Sequence, residues 1–98
     1  MNAMLKKQWH WIVRHTWVNV NGTKILVNET IDAAYVSFNS EAVEYGKARH
    51  ALKPNVVLTA LPCNSEDDRK RARELNHMVS TRIAECEAEM HFIEQRMH

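Results

Sequence analysis

Six histidines, two cysteines and three tryptophans are the residues of this 98-residue chain best equipped for chemistry. Their spacing rules most of that chemistry out. His10 and His15 are five apart in a stretch of period two, so they point to opposite faces of a strand and cannot share a metal. Glu87 and His91, and Glu94 and His98, lie four apart on a helical pattern. Each pair offers two ligands where a site needs three or four, and solvated i, i+4 pairs are the ordinary explanation. Cys63 follows Pro62 just ahead of a helix start, where a thiolate is favoured. No histidine is placed by spacing to act as its base, and Cys63 and Cys86 are too few for a disulfide framework. Free structural thiols in a reducing cytoplasm are expected. With two glycines in the chain there is no dinucleotide fingerprint, no phosphate loop and no nucleophile elbow. The expectation is a protein without catalytic residues, metal or cofactor.

Two clusters remain as candidate contact surfaces. "QWHWIVRHTW", Gln8 to Trp17, holds all three tryptophans. Large apolar residues are mostly buried, yet tryptophan is also the residue most enriched in binding hot spots. The leading reading is that Trp9, Trp11 and Trp17 are core residues beneath the long helix. The alternatives are an exposed stripe for a partner, or a division with Trp17 inside, opposite Leu26, and Trp9 outside. Trp9 and Trp11 are the candidate partner contacts. "RKRAR", Arg69 to Arg73, is the dense basic run. On a helix it spreads around the circumference beside Asp67, Asp68 and Glu74, which suits a solvated face. As a phosphate patch it would use Arg69, Arg71 and Arg73, without the interleaved aromatics of single-strand binders. Lys6, Lys7, Arg14 and Lys24 near the tryptophans fit that chemistry better. Leu61-Pro62, in the polar connection "LPCNSEDD", is the bond an isomerase would meet in a loop, although a proline that stops a strand is commoner.

The elements that position these residues follow from local pattern. Trp9 to Val20 alternates aromatic and β-branched residues, a strand signature. Asn21-Gly22 tolerates positive φ and predicts a two-residue hairpin turn pairing Val20 with Thr23, Val18 with Ile25 and Trp17 with Leu26. Thr30 to Phe38 is a third predicted strand, weakened by Ala33-Ala34. Asn39 or Ser40 caps a short helix, "SEAVEYGKARHAL", with Glu41 early and Lys47, Arg49 and Lys53 late, a Phe38–Val43 staple, and an end at Lys53-Pro54. "NVVLTAL" is a fourth strand, buried and stopped by Pro62. From about Glu66, behind a Ser65 cap and three acids, no Gly or Pro interrupts a long helix; propensity dips only at Ser80-Thr81. Val79, Ile83, Cys86, Met90, Ile93 and Met97 recur at intervals of four and three, a heptad seam.

The fold class expected is α+β, one domain over residues 1–98: a small antiparallel sheet of about four strands with a short helix in residues 1–64, and the long helix in residues 65–98. A helix of about 32 residues spans roughly 48 Å, whereas a compact domain of this size is only about 34 Å across. The overhanging turns, with Val79, Ile83, Met90, Ile93 and Met97, are therefore expected to pack on a partner or a second copy. "MNAMLKK" lacks the apolar run of a secretory signal, and no segment reaches the ~20 apolar residues of a membrane span; a cytoplasmic protein is expected. Residues 1–64 hold seven Lys or Arg against four Asp or Glu, and residues 65–98 six against eight. That balance favours protein partners over polyanions.

The chain length, the opening "MNAMLKKQWHW" and the charged helical end "EDDRKRAREL…FIEQRMH" resemble the Abc-type anti-RecBCD accessory proteins of lambdoid phages. The resemblance implies a non-enzymatic protein that binds the host recombination nuclease-helicase RecBCD, chiefly through RecC, and alters its activity. It further implies a host prolyl isomerase as a partner, with Pro62 the proline to test. The reading from another class is a nucleic-acid-binding regulator that dimerises through its long helix, and a third is a plain homodimer through the seam.

Overall fold

Asn21 and Gly22 adopt φ of 51° and 84° in a computed structural model of the chain. The structure describes residues 6–96, and for Phe92, Glu94, Gln95 and Arg96 the backbone alone. The two positive φ angles make the tight turn the hairpin requires. It joins β1 (Gln8–Val20) to β2 (Thr23–Val36) in the expected register, with Val20 opposite Thr23, Val18 opposite Ile25 and Trp17 opposite Leu26.

Three strands form the sheet rather than four. The segments expected as second and third strands are one strand, β2, because "NET" between them contains no Gly or Pro to turn the chain. A bulge at Ile31 takes up the irregularity: Ile12 pairs with Asp32 and Val13 with Thr30. After α1 (Asn39–Arg49), β3 (Val57–Pro62) pairs antiparallel with β1 from His15 back to His10, giving the order β2-β1-β3. β3 was expected to be buried; it is an edge strand with one covered face. Leu58 and Ala60 are buried, while Val57 and Leu61 are exposed.

The helices lie on opposite faces. α1 covers Ile12, Ala34, Leu58 and Ala60, with its own Ala42 in that core. Gly46 lets the helix sit close, because a Cβ there would stand 2.9 Å from both Ile12 Cγ2 and Leu58 Cδ1. On the other face, α2 (Glu66–Arg96) lays Ala72 over Ala33 and Cys63, flanked by Trp9 and Trp11. The alanines that weaken the strand pattern thus sit where each helix approaches most closely. Packing overrides propensity there.

Both helix starts follow local rules, with one shift. Ser65 Oγ accepts from Asp68 N–H at 3.0 Å, the expected cap. Phe38, not Asn39 or Ser40, is the cap residue of α1, and it makes no side-chain cap bond. The predicted staple therefore loses its geometry, since Phe38 no longer precedes the cap. α1 ends at Arg49, ahead of the expected Lys53-Pro54, because His50 is extended and its ring reaches Asp32.

α2 runs unbroken through Ser80-Thr81. Their hydroxyls donate to the carbonyls of Asn76 and His77 at 2.8 and 2.9 Å, so they back-bond within the helix instead of opening it. Thirty-one residues make it about 46 Å long at 1.5 Å per residue. The radius of gyration is 16.8 Å, against about 13 Å for a compact chain of this length. The greatest extents, 58 and 42 Å, reflect two projecting arms, the helix end and the hairpin end.

Candidate docking surface

The first arm is made by the short reach of β3. β3 accompanies β1 only as far as His15, so Thr16 to Val27 continues as a bare two-stranded ribbon. Cys63 N–H donates to Trp9 O at 2.8 Å, so by alternation the odd-numbered residues of β1 turn their backbone groups toward the β3 side. Those of Trp17 and Asn19 accordingly meet no strand there. Both ribbon faces are apolar: Trp17 and Leu26 on one, Val18, Val20, Ile25 and Val27 on the other, all exposed. Trp17 itself is 59 % exposed.

The tryptophans divide, but in the opposite sense to the division considered from sequence: the expected cover by the long helix reaches Trp9 and Trp11 in part and misses Trp17. Trp9 and Trp11 are half-buried under α2, with the Trp9 ring 5.5 Å from Tyr35 and Arg71 5.9 Å above Trp11. The reason is where α2 begins. It leaves the end of β3, beside His10, and so crosses the root of the hairpin while the turn end lies beyond its reach.

The second arm is the far end of α2. The helix crosses the strands from Cys63 at the end of β3 to the outer edge of β2, where Asn76 Nδ2 donates to Ala33 O at 2.9 Å. Val79 is still buried and Ile83 half-buried against the body. Past that point the seam is bare: Met90 is 64 % and Ile93 56 % exposed. Of the predicted contacts, then, Met90 and Ile93 face solvent, Ile83 sits at the boundary, and Val79 belongs to the fold; Met97 lies outside the described residues. Glu85, Glu87 and Glu89 are exposed along the same turns, with Arg82 before them.

A polar network fixes the point where α2 leaves the body. Asp32 is fully buried, and its carboxylate accepts from Ala33 N–H at 2.8 Å and from His50 Nε2 at 2.9 Å. Arg49 Nε lies 3.2 Å away, an ionic contact without hydrogen-bond alignment. Arg49 also donates to Tyr45 Oη and, at 3.1 Å, to Ser80 Oγ. Asn76 donates to the same Tyr45 oxygen at 2.8 Å. Thus α1, β2 and α2 are joined by groups that would be costly to bury singly. Sequence reasoning missed this cluster, whose one signal was an aspartate inside the apolar run "TIDAAYV".

The other candidates are taken up within the molecule. Arg69 donates to Glu66 at 2.9 Å, which holds the Glu66 carboxyl below its ordinary range. Arg71 lies 3.8 and 3.7 Å from Asp67 and Asp68. Arg73 is exposed and its charge also acts on Glu66, so each arginine of the run already lies near a carboxylate. Arg14 pairs with Glu29 at 2.5 Å. His15 spans the sheet face, its Nδ1 2.7 Å from Asn28 Oδ1 and its Nε2 2.7 Å from Thr59 Oγ1. Pro62, expected in a loop, is the last residue of β3, opposite His10 and half-buried.

Cys63 is a structural thiol, as expected, although the helix start that follows it does not favour its thiolate. It is buried, and burial, with the Asp68 charge second, pushes its thiol above the ordinary range. The apolar packing outweighs the helix start, so the thiolate is disfavoured. Cys86 is exposed. Among the described residues no three His, Cys, Asp or Glu gather as a metal site, and no described helix is long and apolar enough to cross a membrane.

The chain matches no protein-family model, no curated protein and no solved structure.

Proposed function

We propose that the protein is a non-enzymatic docking module that binds a larger protein and alters its activity. The observation that carries this reading is the bare end of α2. Met90 and Ile93 stand on consecutive turns beyond Ile83, the last half-buried residue described on the helix, each more than half exposed. Apolar residues held out on a rigid helix are the form taken by helix-in-groove recognition. The resemblance to the Abc-type proteins supplies the partner to try first, RecBCD through RecC, in the host cytoplasm. Pro62 does not enter the proposed contact, being held in the sheet.

The test is binding to purified RecBCD by the wild type and by a Met90→Asp, Ile93→Asp variant. Both positions lie outside the cores, so the variant should keep the wild-type circular dichroism while affinity falls at least about 30-fold, as loss of hot-spot residues worth roughly 2 kcal/mol or more implies. Unchanged affinity would take the seam out of the interface.

A further inference from the structure

We infer that the free protein forms a two-fold dimer in which each copy lays its hairpin ribbon on the bare end of its partner's α2. The inference goes beyond the docking reading, since it concerns the protein before any host complex is met.

Three features of the two arms select a second copy as the occupant. First, they match in length. The ribbon beyond β3, Thr16 to Val20, spans about 13 Å at 3.3 Å per residue, and α2 from Ile83 to Ile93 spans about 15 Å. Second, they match in character. The ribbon from Thr16 to Val27 contains Lys24 and no acid, whereas residues 82–91 contain Glu85, Glu87 and Glu89 against Arg82. Pairing two α2 ends with each other instead would bring one glutamate-rich stretch against another, a like-charge arrangement that interfaces avoid. Trp17 and Leu26 form an apolar strip suited to Met90 and Ile93, with Lys24 on the same ribbon face.

Third, the arms point in different directions. α2 runs across the strands, while the ribbon runs along them. Two such L-shaped bodies turned by a two-fold axis close on one another, the ribbon tip of each meeting the helix end of the other. Closure uses both arms and leaves no free end, so the assembly stops at two copies. It also supplies the contact twice, which helps two small surfaces reach the roughly 1,000 Å² that a specific interface needs.

Complementation tests this arrangement directly. Trp17→Glu spoils the ribbon and Met90→Glu spoils the helix end; both residues are exposed, and circular dichroism checks that each variant folds. Measured by sedimentation across a dilution series, the wild type should have the mass of two chains and each variant the mass of one. An equimolar mixture should associate at lower concentration than either variant alone, though at higher concentration than wild type, because one of the two contacts is intact: the ribbon of the Met90→Glu chain on the helix of the Trp17→Glu chain. A dimer that survives Trp17→Glu would mean helix-to-helix pairing, and one that survives Met90→Glu ribbon-to-ribbon pairing; either overturns the inference, as does a mixture that associates no more readily than the separate variants. A monomeric wild type overturns it as well and leaves the docking proposal standing, because that proposal is read on the host complex.

Discussion

Asp32 and Cys63 show how single residues acquire their roles from neighbours. Asp32 stands in an edge strand with no solvent exposure, yet Arg49 and His50 reach it from the end of α1, so its charge is answered rather than stranded. Cys63 meets the opposite treatment: apolar packing and the Asp68 carboxylate both resist its ionisation. The native thiol therefore keeps its proton above pH 9.0, where the unfolded chain releases it. The stability this contributes is fully present below that pH and declines as pH rises through the folded-state value. Denaturant midpoints measured upward from neutral pH should thus fall more steeply for wild type than for Cys63→Ala. Parallel curves would place Cys63 outside the core. A thiol reagent should meanwhile label Cys86 in the native protein and Cys63 only on unfolding.

At the scale of elements, the seating of α1 depends on one missing side chain. Gly46 is buried, and the Cβ of any other residue would meet the Ile12 methyl and the Leu58 terminal methyl at 2.9 Å. Ile12 has no room to retreat, since it is fully buried between the helix and the sheet. Gly46→Val should therefore lower the unfolding free energy by about 2 kcal/mol, within the range for overpacking a filled core. Chemical denaturation measures it, and an unchanged midpoint would mean that α1 rides higher on the sheet. The hairpin is differently placed: an isolated two-stranded ribbon is marginal in water, and here its root is braced by β3 and α2 while its tip relies on the Asn21-Gly22 turn.

For the whole molecule, shape and charge both bear on the proposed docking role. The two arms extend the chain well past a compact globule, and what they carry outward is mainly apolar. The basic run on α2 is turned largely on its own carboxylates. Under the docking proposal, binding to the partner protein should in consequence respond weakly to ionic strength. A protein gripping nucleic acid through six or more phosphates would lose roughly 1,000-fold in affinity between low and moderate salt. A titration at two salt concentrations separates them, and a steep loss would favour the nucleic-acid regulator.

Local signals were enough for much of this. Positive φ at Asn21-Gly22 set the hairpin and its register, the Ser65 cap and a run free of Gly and Pro set α2, and intervals of three and four placed Met90 and Ile93 on one stripe. Each depends on residues within a turn or two of one another, so the sequence alone determined them. Which tryptophans are covered depended instead on where α2 crosses the sheet. That follows from the short reach of β3 and the place where the chain leaves it, so Trp9 is sheltered beneath α2 while Trp17, expected there as well, is exposed. The merging of two expected strands into β2 and the partners of Asp32, 17 and 18 residues away, belong to the same class. Burial is a property of what passes overhead, and only the tertiary structure decides which segment that is.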